Sequence, residues 1–206
     1  MGDEEERCLK RYEQLLDEVE RECSRLRADP RYVGCKLDCD ICCRGTSLLS
    51  LLPVELIHMR EGLSALPKEI RDEIYERAKR TILKSIELGY DLKKLSQVKP
   101  SEVMMEMGSS REATCPFLIG GICSIYEHRP LICRVWGYPM FDGVRVNCCK
   151  HTFVGDISSV NPIDYKALRR RAYQIGKEEG CGERTVPLSY AVLLIQKELE
   201  EGGGVQ

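Results

Sequence analysis

Aromatic side chains are scarce in this chain: three Phe, one Trp and nine Tyr make up 6% of 206 residues. Histidine is scarcer still, with His58, His128 and His151 alone. A cysteine-nucleophile hydrolase needs a base beside its thiol, and these three offer little. His58 in "ELIHMRE" reads as a helix-surface residue and His128 in "YEHRP" as a turn residue, while His151, two residues after Cys149, is at most a candidate to complete a metal site. No charge excess exists either: 31 basic residues face 33 acidic ones, for a net charge of −2. That balance argues against nucleic acid or an anionic membrane as a partner. The run Arg169-Arg170-Arg171 is followed closely by Glu178, Glu179 and Glu183, so it reads as a solvated helix face. Apolar runs such as "AVLLI" are far too short to span a bilayer. The opening "MGDEEERCLKR" is acidic and resembles neither a secretory signal nor a transit peptide. It also lacks the Ser or Thr that myristoylation favours. A cytoplasmic chain is the expectation, and no internal repeat is visible.

Against these shortages stand twelve cysteines. Disulfides are rare in a reducing compartment, so dense thiols there point to metal binding or redox chemistry. Their placement is uneven. Cys8, Cys23 and Cys181 are scattered. Cys35, Cys39, Cys42 and Cys43 crowd "GCKLDCDICCRG", and Cys115, Cys123, Cys133, Cys148 and Cys149 form a second group. Thiolates are soft ligands suited to zinc, copper(I) and iron–sulfur clusters, and poorly suited to magnesium or calcium.

Helical periodicity dominates the rest. Leu9, Tyr12, Leu16, Val19, Cys23 and Leu26 make one stripe over residues 4 to 27, with Cys23 as a buried small hydrophobe. Pro53 opens a short helix. Ile70, Ile74, Ala78, Ile82 and Ile86 define another that ends at Gly89. Residues 91 to 114 read as an irregular loop. Gly120-Gly121 and Asp142-Gly143 mark hairpin turns, and Pro130 starts one short helix between them. Asn161-Pro162-Ile163-Asp164 caps a helix to about Lys177, and Pro187 opens the last one. The predicted fold is mainly α: a helical shell around an irregular cysteine-rich centre with one or two short β-hairpins. The expected organisation is an N-terminal helix over 1–30, a cysteine-cluster domain over 31–200 and a disordered tail over 201–206.

A Cys-x2-Cys turn lets Cys39 and Cys42 converge on one metal. Adjacent Cys42 and Cys43 are expected to diverge and serve separate positions, and Cys148-Cys149 repeats the device. With four ligands per site, these nine thiols put one full site, and a second, within reach. Neither group completes a shell alone, so the two are expected to meet in space, leaving Cys8, Cys23 and Cys181 outside. Arg129 and Arg134, with Arg44, sit beside the ligands and are candidate donors to a thiolate-bound cofactor. "CKLDCDICC", then "CPFL", then "CSIYEHRPLICR" resembles the CxxxCxxCC family of zinc- or iron-chelating cysteine-cluster proteins. The likeness rests on Cys35, Cys39, Cys42, Cys43, Cys115, Pro116, Phe117, Leu118, Cys123, Tyr126, Arg129, Pro130, Cys133 and Arg134. It covers about a fifth of the chain. Where the family pattern has a glycine between the second and third cysteines, this chain has Asp40-Ile41. The resemblance implies a bound metal or cluster and leaves any reaction open. Flagellin lysine N-methylases look related through the same motif, but they are longer, and nothing here marks a methyl-donor site.

Cys35-x3-Cys39-x2-Cys42 is also the spacing of radical S-adenosylmethionine enzymes. Those place it after the first strand of a βα barrel, whereas a long helix precedes it here. A thiol–disulfide oxidoreductase needs its Cys-x2-Cys at a helix start within a βαβ unit, which Cys39 and Cys42 lack. Glu127 and Asp142 have no pairing that would suit acid–base catalysis. Structural zinc sites pair two Cys-x2-Cys knuckles and this chain has one, so an iron–sulfur cluster or multinuclear iron is favoured over zinc. The rival class is a non-enzymatic zinc- or partner-binding module, with the N-terminal stripe as a docking face.

Overall fold

The computed structural model describes residues 2–35, 39–95 and 99–202. The expected tail lies outside the described residues from 203 onward. In chain order the elements are α1 (Asp3–Arg27), β1 (Ser50–Leu51), α2 (Pro53–Ser64), α3 (Lys68–Glu87), α4 (Leu92–Leu95), α5 (Pro100–Met107), β2 (Leu118–Ile119), β3 (Ile122–Cys123), α6 (Leu131–Val135), β4 (Met140–Phe141), β5 (Val146–Asn147), β6 (Ile163–Asp164), α7 (Tyr165–Glu178), β7 (Val186–Pro187) and α8 (Leu188–Gly202). The fold is mainly α with short β elements. The chain forms two compact units, Met1–Leu37 with Arg129–Glu183, and Asp38–His128 with Arg184–Gln206.

The first unit is built on α1. Its buried stripe is Cys8, Leu9, Tyr12, Leu15, Leu16, Val19, Cys23 and Leu26, which packs against α6 and α7. Burial of each large apolar side chain contributes roughly 1.5–3 kcal/mol. Ion pairs line the α1–α7 seam: Arg171 to Glu18 at 2.6 Å, and Arg11 to Glu178 and Glu179 at 2.8 and 2.7 Å. Asp164 caps α7 by accepting the Ala167 amide at 2.9 Å. The expected hairpin at Asp142-Gly143 forms from β4 and β5, with the Asp142 carboxylate accepting the amides of Val144 and Arg145. β6 adds a parallel partner to β4, pairing Ile163 with Met140. Cys8 and Cys181 are joined in a disulfide across 173 residues of sequence. In the sequence both are scattered thiols, since their shared environment arises only when α7 folds back along α1.

The second unit is centred on α3 and α8, which pack along each other. Its core comprises Leu51, Met59, Leu63, Ile74, Phe117, Leu188 and Val192 among others. Pro53 starts α2, and the Glu55 carboxylate reaches back to the Leu52 amide at 2.7 Å. The Gly120-Gly121 hairpin joins β2 and β3, with both glycines at positive φ, 58° and 83°. Such a turn suits glycine because no Cβ resists that backbone. Two features escaped sequence reading. Within the expected 91–114 loop, α5 seats Val103, Met104 and Met107 in a smaller core with Leu48 and Ile82. β1 also pairs antiparallel with β7, Ser50 opposite Pro187. No helix among the described residues is long and apolar enough to cross a membrane.

Candidate metal centre

In the second unit, Cys43 begins the construction. A 3-10 turn over Ile41–Cys43 is closed by the Cys43 amide donating to the Asp40 carbonyl at 2.8 Å. Cys42 and Cys43 place their sulfurs 4.0 Å apart, so the adjacent pair does not diverge as its sequence suggests. Arg44 pairs with Asp40 at 2.7 and 2.8 Å and is largely exposed. That pairing makes it a surface ion pair.

The second cysteine group arrives through Cys115. Its amide donates to the Cys43 carbonyl at 2.8 Å, although the two lie 72 positions apart along the chain. The Thr46 hydroxyl donates to the same carbonyl at 3.3 Å. The Leu118 amide bonds back to Cys115 at 3.1 Å, and the hairpin then sets Cys123 opposite Leu118. Arg77 of α3 fixes that hairpin by donating to the Leu118 carbonyl at 2.6 Å. Cys115 belongs to the core, and Cys43 and Cys123 pack against it. Burial pushes the Cys115 thiol up to about 12, with Cys123 and Cys42 raising it further, while the Phe117 amide and the Thr46 hydroxyl oppose them. Low-dielectric surroundings disfavour a thiolate and so do neighbouring thiolates. The second unit thus gathers Cys42, Cys43, Cys115 and Cys123, with Cys39 partly buried three residues before Cys42. Among the described residues no three cysteine sulfurs lie mutually within 4.8 Å. The thiols share a neighbourhood without a closed shell.

The first unit holds Cys35, Cys133, Cys148 and Cys149. Cys35 is exposed, whereas Cys133, Cys148 and Cys149 are partly buried. Cys133 lies on α6. The Cys149 carbonyl accepts from the Thr152 hydroxyl and amide, both at 3.0 Å. The same hydroxyl contacts the Gly137 carbonyl, near which the Cys148 sulfur lies at 4.0 Å. Burial, then Cys149, pushes the Cys148 thiol up to about 11. Arg134 donates to the Arg129 carbonyl at 3.2 Å, and both guanidiniums lie near Cys23. Cys23 is buried as expected. Burial and then Glu20 push its thiol up to about 11, with Arg27, Arg129 and Arg134 pulling the other way.

His58 is placed differently from its sequence reading, whereas His128 ends a 3-10 turn over Tyr126–His128, as a turn residue should. His58 is 6% exposed, inside α2, and its ring centre lies 4.9 Å from that of His128. Glu61, one turn along the same helix, brings a ligand oxygen within 4.8 Å of the His58 ring nitrogen. The signal in the sequence was Gly62, a glycine inside a helical stretch. Cysteine-rich surroundings and this His/Glu pair both allow metal binding. Compared with family models, curated proteins and solved structures, the chain matches none.

Proposed function

We propose that the chain is a thiolate-ligated metal protein, with Cys39, Cys42, Cys43, Cys115 and Cys123 as donors in the second unit. The observation that carries this reading is the Cys115 amide bonded to the Cys43 carbonyl. It draws two sequence-distant thiol groups onto one core, where soft sulfur donors have no structural need to be so dense. Thiols pressed together are also poor neighbours when ionised, and a bound cation offsets that charge. Cys35, Cys133, Cys148 and Cys149 supply four further donors in the first unit, with Arg129 and Arg134 as charge partners. The resemblance to the CxxxCxxCC family supports the same reading.

An iron–sulfur cluster is the favoured occupant, because doubled cysteines at irregular spacing suit a cluster better than paired zinc knuckles. Such a group would supply electron-transfer or Lewis-acid chemistry. One observation favours mononuclear zinc instead. Two thiolates on a tetrahedral ion with bonds of about 2.3 Å stand about 3.8 Å apart, close to the 4.0 Å between Cys42 and Cys43. A structural or partner-binding zinc module is therefore the second reading. Purification of the full chain without oxygen, followed by metal and acid-labile sulfide analysis, separates them. Iron with equimolar sulfide and broad visible absorption supports the cluster. Stoichiometric zinc without a visible band selects the second reading, and absence of both ends the proposal.

A further inference from the structure

We propose that Cys181 is a site of reversible thiolation by low-molecular-weight disulfides of the glutathione class, with Cys8 as the thiol that resolves the adduct. Both cysteines belong to the first unit. Neither is among the metal donors proposed above, so the exchange stands independently of that reading and leaves a thiol-bound metal in place.

The two sulfurs are held together by contacts that do not depend on their bond. Gly180, just beyond α7, takes a positive φ of 80°. The Cys181 amide then donates to the Gly176 carbonyl at 2.8 Å. A left-handed glycine followed by an amide that reaches back into the last turn is a common helix end, and it fixes the residue after the glycine. Cys181 is that residue. Its sulfur lies 3.5 Å from the Glu4 carbonyl in the first turn of α1, and the Cys8 sulfur lies 3.9 Å from the Ile175 carbonyl of α7. Arg7, next to Cys8, pairs with Glu179 at 3.0 Å, and Arg11 joins the same carboxylate at 2.7 Å. The buried stripe of α1 packs along α7 as well. Reduction of the disulfide removes none of these contacts, so the free thiols stay neighbours and the bond re-forms within the chain.

Exposure sets the order of events. Cys8 is 0% exposed, whereas Cys181 is partly exposed at the end of α7. A bulky tripeptide disulfide therefore reaches Cys181 first, since exchange requires access to the attacking sulfur. The Cys181 thiolate attacks one sulfur of the small disulfide, which forms a mixed disulfide and releases one small thiolate. The Cys8 thiolate next attacks the Cys181 sulfur and expels the second small thiolate. Two protein thiols are thereby oxidised and one small disulfide is reduced to two thiols, with the two protein protons passing to the leaving thiolates. An excess of small thiol runs the same steps backward, again entering at Cys181.

The test treats the gently reduced full chain with glutathione disulfide, quenches it with an alkylating reagent and maps each cysteine by peptide mass spectrometry. The wild type is expected to close the Cys8–Cys181 bond without accumulating an adduct. Cys8→Ser should accumulate a glutathione adduct at Cys181, whereas Cys181→Ser should modify Cys8 about tenfold more slowly or not at all. Circular dichroism establishes that both variants are folded. In urea the two unfolded variants should react at similar rates, which ties the difference to burial. Equal modification of Cys8 and Cys181 in the folded variants would overturn the proposal. A rate difference that persists in urea would overturn it too, as would a wild-type chain in which no Cys8–Cys181 bond forms.

Discussion

Cys115 and Cys23 are both buried thiols in apolar surroundings, yet their neighbours differ. Cys115 has Cys42, Cys43 and Cys123 beside it. Cys23 has the Arg134 carbonyl at 3.7 Å, with Arg27 and Arg129 nearby. Cys115→Ala is therefore expected to lose bound metal. Cys23→Ala should retain it and cost about 1 kcal/mol of packing, as for a small cavity. Metal-to-protein ratios and denaturation midpoints of the two variants decide, and equal metal loss in both would contradict the assignment. At this scale the sequence was partly legible. The stripe position of Cys23 announced its burial, and cysteine spacing picked out the ligand candidates. The turn that sets Cys42 and Cys43 sulfurs 4.0 Å apart was not legible, because adjacency alone does not fix side-chain direction. His58 was misread as a surface residue because α2 is apolar on several sides, with Val54, Ile57, Met59 and Leu63 all buried.

Among the elements, α1 and α7 share a seam of ion pairs whose acid response can be worked out. Arg171 holds the Glu18 carboxyl below its ordinary value of 4.5, and Arg11 and then Arg7 do the same for Glu179. A depressed carboxylate contributes stability that is complete above its unfolded value and declines as pH falls through its folded value. The contribution should thus be present at neutral pH and fade below about pH 4.5. Arg171→Gln should lower the urea midpoint slightly at neutral pH, and the gap from wild type should close in acid and in high salt. A gap that persists in acid would assign the loss to packing instead. The long elements were legible because α1 and α3 repeat apolar residues at helical spacing, and Gly120-Gly121 marks its own turn. α5 was hidden because its stripe is brief and embedded in polar sequence. The β1–β7 pair was hidden because two-residue strands carry no period, and their register comes from contacts such as Ser189 Oγ donating to the Ser47 carbonyl at 2.7 Å.

For the whole molecule, a covalent link complements hydrophobic packing. The Cys8–Cys181 disulfide closes a loop of 173 residues. Restricting the unfolded chain in this way typically contributes about 2–4 kcal/mol. Cys181→Ser should accordingly lower the unfolding midpoint under oxidising conditions and match wild type after reduction, with metal content unchanged. Identical midpoints in both conditions would contradict the bond. Sequence placed Cys8 and Cys181 apart from the two dense groups, but a pairing across so many residues depends on how α7 returns along α1.

If cysteine sulfur from both groups binds one metal centre, as proposed, X-ray absorption at the metal edge reads that shell directly. The anaerobically purified full chain is predicted to show a sulfur shell at about 2.3 Å. That shell should shrink or vanish in Cys43→Ala and in Cys115→Ala alike. A first shell of nitrogen and oxygen alone, or a sulfur shell unchanged in both variants, would contradict it.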